Sequence, residues 1–245
     1  MLILYQLERT WGIPNLSHFC CKTETYLRMA DIKYTVRPTL PLFAPKGKLP
    51  YIEDGDFKLA DSRFIIRHLK TKYHDLDQEL SPTELAHSLA MQRLLEEHLF
   101  WATMYSRWQY TDANWQVNKK AIFSVLPPIV RDFAAIFYRR RIQRQILGHG
   151  TGRHSPEEIF ELGMQDIDAL SAYLGDKSYF MGDKPTGLDA SAFGFLINTL
   201  GCPIESPLKE HALSKANLRN YVNRIKLEYY ADLQPSGKAA EYTPK

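Results

Sequence analysis

The sequence predicts a small α/β unit followed by an all-helical half. In residues 1–75, short apolar runs rich in strand-forming residues alternate with helical patterns, in the order β-α-β-loop-β-β-α. From about Ser81 onward the patterns are helical throughout, and the polar segment 74–80 lies between the two kinds of pattern. We therefore expect one domain at 1–75, a second at 81–233 and a mobile tail at 234–245.

The elements of the first unit are predicted from composition, turn signals and helix caps. Gly55 and Asp56 lie between two short strand-like runs and indicate a hairpin. Ser17 and Ser62 each precede a run with helical spacing, and we expect both to be N-caps. The expected strands are 2–7, 34–38, 49–54 and 57–61, and the expected helices are 17–32 and 62–73.

The second half is predicted from helix-start signals. Ser-Pro pairs at 81–82 and 155–156 combine an N-cap serine with a proline at the first helical position. Thr186 and Asp189 form a T-x-x-D capping box before an apolar run, so we expect Asp189 to serve folding rather than chemistry. The expected helices are 81–110, about 118–147 with an interruption at Pro127-Pro128, 155–175, 186–201 and 212–230.

The composition indicates a soluble globular protein of a reducing compartment. The 245 residues are 44% hydrophobic and 24% charged, and the net charge of +3 gives no reason to expect nucleic acid or a membrane surface. Three cysteines, two of them adjacent, are too few for a disulfide scaffold. No apolar run reaches the ~18 residues of a spanning helix, and no H-x-E or C-x-x-C pair suggests a metal. We expect a cytoplasmic protein without a membrane anchor.

The stretch "NLSHFC" at residues 15–20 has the spacing of a C-x-x-C redox pair, with serine in the first position. Ser17 cannot form half of a disulfide, so the motif predicts either a hydroxyl with a chemical role or a simple N-cap. A further alternative is that Cys20 or Cys21 is the reactive thiol. Cys20 falls one turn into the expected helix, where a buried and inert thiol is the usual outcome.

Three motifs together resemble those of the glutathione S-transferase superfamily. The first is the S-x-x-C at the start of the first expected helix. The second is "KGKLPYIEDGDFKLADS" at 46–62, and the third is "YFMGDKPTGLDASAFGFL" at 179–196. Each is weak alone, but their order and spacing span nearly the whole chain. The resemblance implies an N-terminal thioredoxin-like domain followed by an all-helical glutathione transferase C-terminal domain.

A narrower resemblance is to the branch that contains the failed axon connections proteins and the metaxins. It is carried by "WGIPNLSHFCCKTE" at 11–24, "EEHLFWATMYSRW" at 96–108 and "GTGRHSPEEI" at 150–159. Members of that branch often lack an assigned reaction. The resemblance therefore supports glutathione as a cosubstrate better than it supports any named electrophile.

The superfamily resemblance implies a role for Ser17 beside the sulfur of bound glutathione. A free thiol has a pKa of about 8.5, so a few per cent is thiolate at neutral pH. A helix N-terminus and a hydroxyl hydrogen bond both favour the thiolate, and the bond is worth roughly 1.5–3 kcal/mol. Ser17 would then stabilise a nucleophile that the cosubstrate supplies, and would not itself attack.

The resemblance also implies the residues that hold the rest of glutathione. Leu49-Pro50 corresponds to a cis-proline turn whose backbone pairs with the cysteinyl part, against the alternative of a strand-entry proline. Asp61 and Ser62 would meet the γ-glutamyl ammonium and carboxylate, or Ser62 would only cap a helix. Lys46 or Lys48 would meet the glycyl carboxylate. Trp11 would wall the sulfur pocket or fill the domain boundary.

The expected helix 81–110 carries an aromatic stripe. His98, Trp101, Tyr105 and Trp108 follow at spacings of three, four and three, so they share one face. Such a stripe is most often core, but the resemblance places the second-substrate pocket along this helix, where aromatic walls would suit an apolar electrophile. The basic stretch 139–144 is interpreted as a solvated face, with a carboxylate-rich ligand or partner as the alternative.

The functional expectation is a glutathione transferase that activates the glutathione thiolate for attack on a hydrophobic electrophile, acting as a homodimer by analogy with the family. Two alternatives remain at this point. One is a non-catalytic interaction module with the same fold, and the other is a thiol oxidoreductase that depends on Cys20.

Overall fold

The computed structural model describes residues 1–233, so the predicted mobile tail at 234–245 lies outside the described residues. A four-stranded sheet forms in the first unit, in the order β2-β1-β3-β4. β1 and β2 are parallel, β3 is antiparallel to β1, and β4 is antiparallel to β3. The strands are β1 (Leu2–Gln6), β2 (Tyr34–Pro38), β3 (Tyr51–Asp54) and β4 (Phe57–Ala60). Strand order and the β-α-β-β-β-α sequence are those of a thioredoxin-like domain, which confirms the predicted fold of the first half.

Helix α1 (His18–Met29) lies between the sheet and the helical half. It is buried because both of them pack against it. Its charged residues Lys22, Glu24 and Arg28 are 0–2% exposed. Because a buried charge is tolerated only when it is paired, these residues depend on partners from other elements. The predicted N-cap at Ser17 is confirmed by its extended backbone and by a bond from the Cys20 N–H.

Helix α2 (Ser62–Lys72) packs against β3 and β4. The prediction that Ser62 is its N-cap is wrong by one residue. Asp61 is the N-cap, and its carboxylate accepts the Arg63 N–H at 3.0 Å. The carboxylate reaches this N–H with the backbone at φ 83°, a left-handed conformation that is uncommon outside glycine, although aspartate is among the residues that adopt it. Ser62 is therefore the first helical residue and is 5% exposed.

The helical half contains the predicted helices, although it is divided into more segments than predicted. The predicted helix near 118–147 is two helices, α5 and α6, separated at the Pro127-Pro128 interruption, and α9 was not predicted. The capping box at Thr186 and Asp189 is present. The remaining bounds are α3 (Pro82–Arg93), a π-helical segment (Leu94–Leu99), α4 (Phe100–Tyr105), a second π-helical segment (Ser106–Tyr110), α5 (Asp112–Phe123), α6 (Pro128–His149), α7 (Pro156–Leu174), α8 (Gly187–Leu200), α9 (Pro207–Ser214) and α10 (Ala216–Tyr229).

Among the described residues, one apolar core is much larger than the other two. The large core runs from the sheet through α1 and α8 into α7 and α10, so the α/β unit and the helical half share it. A smaller core of Trp108, Trp115, Phe123 and Ala135 lies between α5, α6 and the second π-helical segment. No described helix is both long and apolar enough to cross a membrane.

The polar segment 74–80 is attached to both halves. Asp77 is 6% exposed and accepts the Gly187 N–H at the start of α8 at 2.7 Å. Tyr26 of α1 donates its hydroxyl to the His74 carbonyl at 2.8 Å. The domain boundary at this segment stays a prediction, since its residues bond to both sides.

Candidate functional site

Three segments that are distant in sequence meet where β1 and β4 end and β3 begins. We call this end of the strands the edge of the sheet. The register pairs Tyr5 of β1 with Tyr51 of β3, and Tyr51 with Ala60 of β4. The end of β1, the start of β3 and the end of β4 therefore lie side by side. The loop that leads from β1 to α1, the residues before β3 and the residues after β4 all leave the sheet at this edge.

These three segments contain most of the predicted site residues. Ser17 ends the loop after β1, Leu49-Pro50 precedes β3, and Asp61-Ser62 follows β4. The Leu49-Pro50 bond is cis, as the resemblance implies. Pro50 is buried, and Leu49 packs against the small cluster that includes Tyr51 and Ala60. The edge thus presents a hydroxyl at one helix start and a carboxylate with a hydroxyl at another.

The loop around Ser17 is held by side-chain bonds to the backbone. Asn15, which is 0% exposed, donates from Nδ2 to the Leu7 carbonyl at 2.8 Å and accepts the Ser17 N–H at 3.0 Å. The Ser17 hydroxyl accepts the Cys20 N–H at 3.4 Å, which is long for such a bond. The first turn of α1 has no acidic residue, so the positive end of the helix dipole is not neutralised there. Half-exposed Ser17 therefore lies at a position that favours an anion.

Arg107 adds a buried positive charge next to this loop. It is 3% exposed, donates to the Leu16 carbonyl at 2.6 Å, and donates to both the carbonyl and Oδ1 of Asn198 at 2.8 Å. None of the described carboxylates pairs with it, and burial lowers the pKa of its guanidinium. The Leu16 carbonyl links Arg107 directly to the residue before Ser17. The sequence did not predict Arg107 as a site residue, because its acceptors lie far from it along the chain.

His18 follows Ser17 and is 2% exposed between Phe100 and Phe195. Burial, with the Arg107 charge beside it, holds the pKa of His18 well below its usual range. The ring is therefore neutral at physiological pH, and its Nε2 lies 3.2 Å from the Thr103 hydroxyl. This histidine fixes the start of α1 against the helical half.

The cysteine alternative finds little support in the structure. Cys20 and Cys21 are both 0% exposed. Burial raises the pKa of the Cys20 thiol to about 12, although the Ser17 hydroxyl beside it acts in the opposite direction. Burial raises the pKa of Cys21 as well. A thiol that is neutral at physiological pH and shielded from solvent is a poor nucleophile.

Trp11 and the two lysines differ in how firmly the structure holds them. Trp11 is half-buried at φ 62°, and the Arg107 guanidinium lies 5.2 Å from its ring centroid. This contact favours the alternative in which Trp11 fills the boundary with the helical half. Lys48 is exposed, and Lys46 lies 4.8 Å from the Phe64 ring centroid. Their predicted contact with a carboxylate stays a prediction.

The predicted aromatic stripe faces away from α1. The ring of Trp101 stacks on His149 at 4.7 Å between centroids, and Trp108 lies 5.5 Å from Trp115. Tyr105 packs on Phe160 of α7 at 5.8 Å. Tyr105 and Trp108 are each 6% exposed, which favours the core alternative for both. A pocket role for the three residues stays a prediction.

A different stripe of the same helix meets the first unit. It is formed by Glu96, Phe100, Thr103 and Arg107, which follow at spacings of four, three and four. Glu96, Phe100 and Thr103 contact α1, and Arg107 contacts Leu16 in the loop that precedes it. The two π-helical segments that flank α4 contain the first and last members, and such segments are frequent at functional sites. Polar residues on one helical stripe are the signal that could have identified this face from sequence.

Comparison with known proteins places these features in a family. A model described as the glutathione S-transferase N-terminal domain matches residues 18–114, beginning one residue after Ser17. A model described as the glutathione S-transferase C-terminal domain matches residues 163–225. The two models together cover more than half of the chain.

Three relatives illustrate the range of similar proteins. The isoprene-epoxide glutathione S-transferase of Rhodococcus sp. (strain AD45) is 38% identical over 239 residues, which cover 94% of this chain and 99% of that protein. Failed axon connections of Drosophila melanogaster is 37% identical over 95% of this chain, which spans 59% of that longer protein. Human metaxin-2 is 26% identical over 85% of this chain and 81% of its own length.

Solved structures agree on the fold. The glutathione transferase GSTFuA3 of Phanerochaete chrysosporium superposes with a TM-score of 0.64 at 18% identity, covering 91% of this chain and 95% of that one. Glutathione S-transferase III in its apo form superposes with a TM-score of 0.61 at 17% identity, covering 100% and 99%. At these identities the likeness extends to the fold alone, and it confirms a thioredoxin-like domain followed by an all-helical one.

Proposed function

The chain belongs to the glutathione S-transferase superfamily, and from that premise we propose that it binds glutathione at the sheet edge and transfers it to a small apolar electrophile. The observation that carries this proposal is the register of β1, β3 and β4, which brings Leu49-Pro50 and Asp61-Ser62 to the edge from which the loop to Ser17 leaves the sheet. The family uses glutathione as a cosubstrate, and these residue types suit the three charged or polar parts of that tripeptide.

Ser17 would act on the sulfur. Its hydroxyl donates a hydrogen bond to the thiolate, and a bond to an ionised group is worth roughly 1.5–3 kcal/mol. Since one pKa unit equals about 1.4 kcal/mol, one such bond lowers the thiol pKa by roughly one to two units. The hydroxyl accepts the Cys20 N–H at 3.4 Å, which is a weak bond, so turning the hydroxyl toward a ligand costs little free energy. The thiolate then becomes the major form at neutral pH.

Two further groups would favour the anion. The N-terminus of α1 points unpaired N–H groups at the site, without a competing acidic side chain in the first turn. Arg107 donates to the Leu16 carbonyl and so holds a positive charge beside the loop that ends at Ser17. Because Arg107 is buried, solvent screens this charge weakly. Arg107 is a positioning residue in this proposal, because it acts through the loop and not on the sulfur directly.

The rest of glutathione would lie along the same edge. The backbone of Leu49 would pair with the cysteinyl part. Asp61 would receive the γ-glutamyl ammonium, and Ser62 at the start of α2 would meet the γ-glutamyl carboxylate. Lys48 or Lys46, both exposed nearby in sequence, would meet the glycyl carboxylate.

Epoxides are the electrophile class to test first, because the Rhodococcus relative is named for an epoxide substrate. The thiolate attacks one epoxide carbon, the C–S bond forms and the C–O bond of the strained ring breaks. The alkoxide that results takes a proton from water, and the product is a hydroxyalkyl thioether of glutathione. The step needs neither an oxidant nor a metal.

Replacement of Ser17 by alanine tests the proposal. The thiolate pKa of bound glutathione should rise by one to two units, so conjugation of styrene oxide should fall about tenfold or more at pH 6.5. At pH 9.5 glutathione is ionised without help, and the loss should shrink to less than about threefold. Ultraviolet absorption of the bound thiolate as a function of pH checks the same shift without turnover.

Ser155→Ala is the matched control, because Ser155 caps α7, a helix of the helical half, with a similar serine bond. It should lower stability by about 1 kcal/mol and leave the pH profile unchanged. An equal loss of Ser17→Ala activity at both pH values would count against thiolate stabilisation. Loss of turnover in Cys20→Ser would favour the oxidoreductase alternative instead.

A second candidate is a glutathione transferase fold that binds partners without turnover. It rests on Failed axon connections and metaxin-2, two relatives whose names state no reaction. Calorimetric titration of reduced glutathione into the whole chain separates the two candidates. Saturable binding at millimolar affinity or tighter supports the enzyme, whereas no saturation at cellular glutathione concentrations supports the interaction module. A homodimer is also proposed by family analogy, and sedimentation velocity tests it.

A further inference from the structure

A helical hairpin lies, except for its first three residues, between the two parts of the chain that the family models match. It consists of α5 and α6, residues 112–149, while the models cover 18–114 and 163–225. The hairpin has an apolar core separate from the large one, built on Trp115, Phe123 and Ala135 together with Trp108. It is therefore a unit that the glutathione site does not use and that the family models do not explain.

The outer face of the hairpin is apolar at its tip. Ile129 is 76% exposed, Phe133 is 74% exposed and Phe137 is 65% exposed, and their spacing of four places them on one stripe of α6. Val125 and Val130 beside the turn are 65% and 53% exposed. Contiguous exposed apolar side chains of this size mark an interaction surface on a soluble fold.

The same stripe becomes basic toward the other end of α6. Arg140 and Arg144 continue the spacing of three and four from Phe137, and Arg141 lies beside them. All three are exposed, and none of them forms an ion pair with a residue in the described range 1–233. Arg140 and Arg144 border a groove of about 270 Å³ that Gln109 and Gln143 also line. The groove offers hydrogen-bond donors to a phosphate-sized anion.

The charge of the hairpin differs from that of the rest of the chain. Residues 112–149 hold seven Lys or Arg and two Asp, a net charge of +5, while the whole chain has +3, so the remainder has −2. The small net charge of the chain hides this local imbalance. A face that combines large apolar side chains with unpaired arginines is typical of helices that lie in the interface of an anionic membrane.

We propose that this hairpin docks on the surface of a membrane that contains anionic lipids. Ile129, Phe133 and Phe137 enter the boundary between headgroups and acyl chains, and Arg140 and Arg144 bind headgroup phosphates. A second copy of the chain fits this face less well, because pairing would bring together two hairpins that each have a net charge of +5.

Flotation of the whole chain with lipid vesicles tests the proposal. Binding to vesicles of 70% phosphatidylcholine and 30% phosphatidylserine should exceed binding to pure phosphatidylcholine by about tenfold or more at 0.1 M salt. The double variant Ile129→Asp, Phe133→Asp should lower the partition coefficient at least about tenfold. The triple variant Arg140→Glu, Arg141→Glu, Arg144→Glu should do the same for the anionic vesicles.

Two control variants make the same kinds of substitution at exposed positions outside the hairpin. Leu227→Asp alters a side chain that is 75% exposed on α10. Lys33→Glu, Arg67→Glu, Arg219→Glu reverses three exposed charges outside the hairpin. Both should bind vesicles within about twofold of the wild type, apart from the small effect of net charge. Glutathione calorimetry on each variant reports separately on the site at the sheet edge.

Failure of the wild type to float with anionic vesicles would overturn the proposal, as would equal binding by the hairpin variants. A concentration-dependent dimer that Phe133→Asp abolishes, without vesicle binding, would assign the face to a second copy. Binding that depends on Phe133 but is equal on neutral and anionic vesicles would remove the arginines from the interaction and overturn the headgroup assignment.

Discussion

At the scale of single residues, Arg107 joins the start of α1 to the helical half through bonds that no other side chain replaces. Its guanidinium donates to the Leu16 carbonyl and to Asn198 from a position that is 3% exposed. Removing it leaves buried acceptors unpaired, and each such acceptor costs about 1–3 kcal/mol. Arg107→Met should therefore lower the free energy of unfolding by about 3 kcal/mol, as measured by urea denaturation.

The same substitution should raise the thiolate pKa of bound glutathione, since a buried positive charge near the loop is lost. Arg107→Lys is the informative comparison. Lysine keeps the charge but lacks the planar guanidinium that reaches all three acceptors. Relative to Arg107→Met, it should return the thiolate pKa most of the way to the wild-type value and recover less of the free energy of unfolding. Arg67→Met, at an exposed arginine of α2, is the control for loss of a guanidinium. A thiolate pKa that Arg107→Met leaves unchanged would remove this residue from the site.

Ser17, Pro50 and Asp61 could be predicted as site residues because each belongs to a local motif at a helix or strand boundary. The cis bond at Leu49-Pro50 followed from the resemblance and not from proline statistics. Arg107 could not be found in this way, since its acceptors Leu16 and Asn198 are each 91 residues away along the chain. The cap of α2 was assigned to Ser62 because a serine before a helical run is the commoner pattern, whereas Asp61 uses a left-handed backbone that sequence does not reveal.

At the scale of elements, the contact between α1 and α8 depends on one glycine. A Cβ at Gly194 would lie 2.7 Å from the Lys22 nitrogen and 2.9 Å from the His18 carbonyl oxygen. Both atoms are backbone, so the helices would have to separate. Gly194→Ala should lower the free energy of unfolding by at least about 2 kcal/mol, despite the better helix propensity of alanine.

Gly148 near the end of α6 is the matched control for this prediction. A Cβ there meets nothing within 4 Å, so Gly148→Ala should stabilise the protein by up to about 1 kcal/mol. Urea denaturation of the two variants beside the wild type gives both values. If Gly194→Ala proves neutral, the two helices have room to separate and the close approach does not determine their packing.

Most strands and helices could be predicted because their apolar periods and caps are local. The strands follow the predicted order, and the capping boxes at Ser81, Ser155 and Thr186 begin the helices that they were expected to begin. Helix α9 was missed because its eight residues are too few to show a clear period. The π-helical segments around α4 were missed as well, since one extra residue per turn leaves no mark in composition and shifts which residues share a face.

At the scale of the whole molecule, a buried ion network ties the two halves together. Lys22 of α1 pairs with Glu96 of the first π-helical segment, and both are 1–2% exposed. Glu96 also accepts the Arg63 Nε–H of α2 at 3.1 Å and the Ser191 hydroxyl of α8 at 3.1 Å. Four elements from both halves thus meet at one carboxylate. Burial lowers the pKa of Lys22 even beside Glu96. A buried ammonium without a charged partner is costly in general.

Pairings of this kind set the limit of what the sequence could predict. Lys22 and Glu96 are 74 residues apart, and a lysine or glutamate on a helix is normally expected to face solvent. The sequence therefore predicted an α/β unit followed by a helical one, but not the ion pairs between them. The same reasoning treated 139–144 as a solvated face, and the structure leaves those arginines exposed beside an apolar stripe that composition alone does not show.

Replacement of Glu96 by glutamine tests whether this network couples the halves. The Lys22 ammonium would remain buried without a charged partner, which typically costs about 3–5 kcal/mol. Glu97→Gln is the control at the adjacent position, because Glu97 pairs with Arg63 but is 55% exposed and should contribute less than about 1 kcal/mol. The double variant Lys22→Met, Glu96→Leu removes both charges and should recover most of the lost stability. Urea denaturation followed by circular dichroism and by tryptophan fluorescence should give one shared transition for the wild type. A loss in Glu96→Gln no larger than that in Glu97→Gln would mean that apolar contacts alone join the two halves.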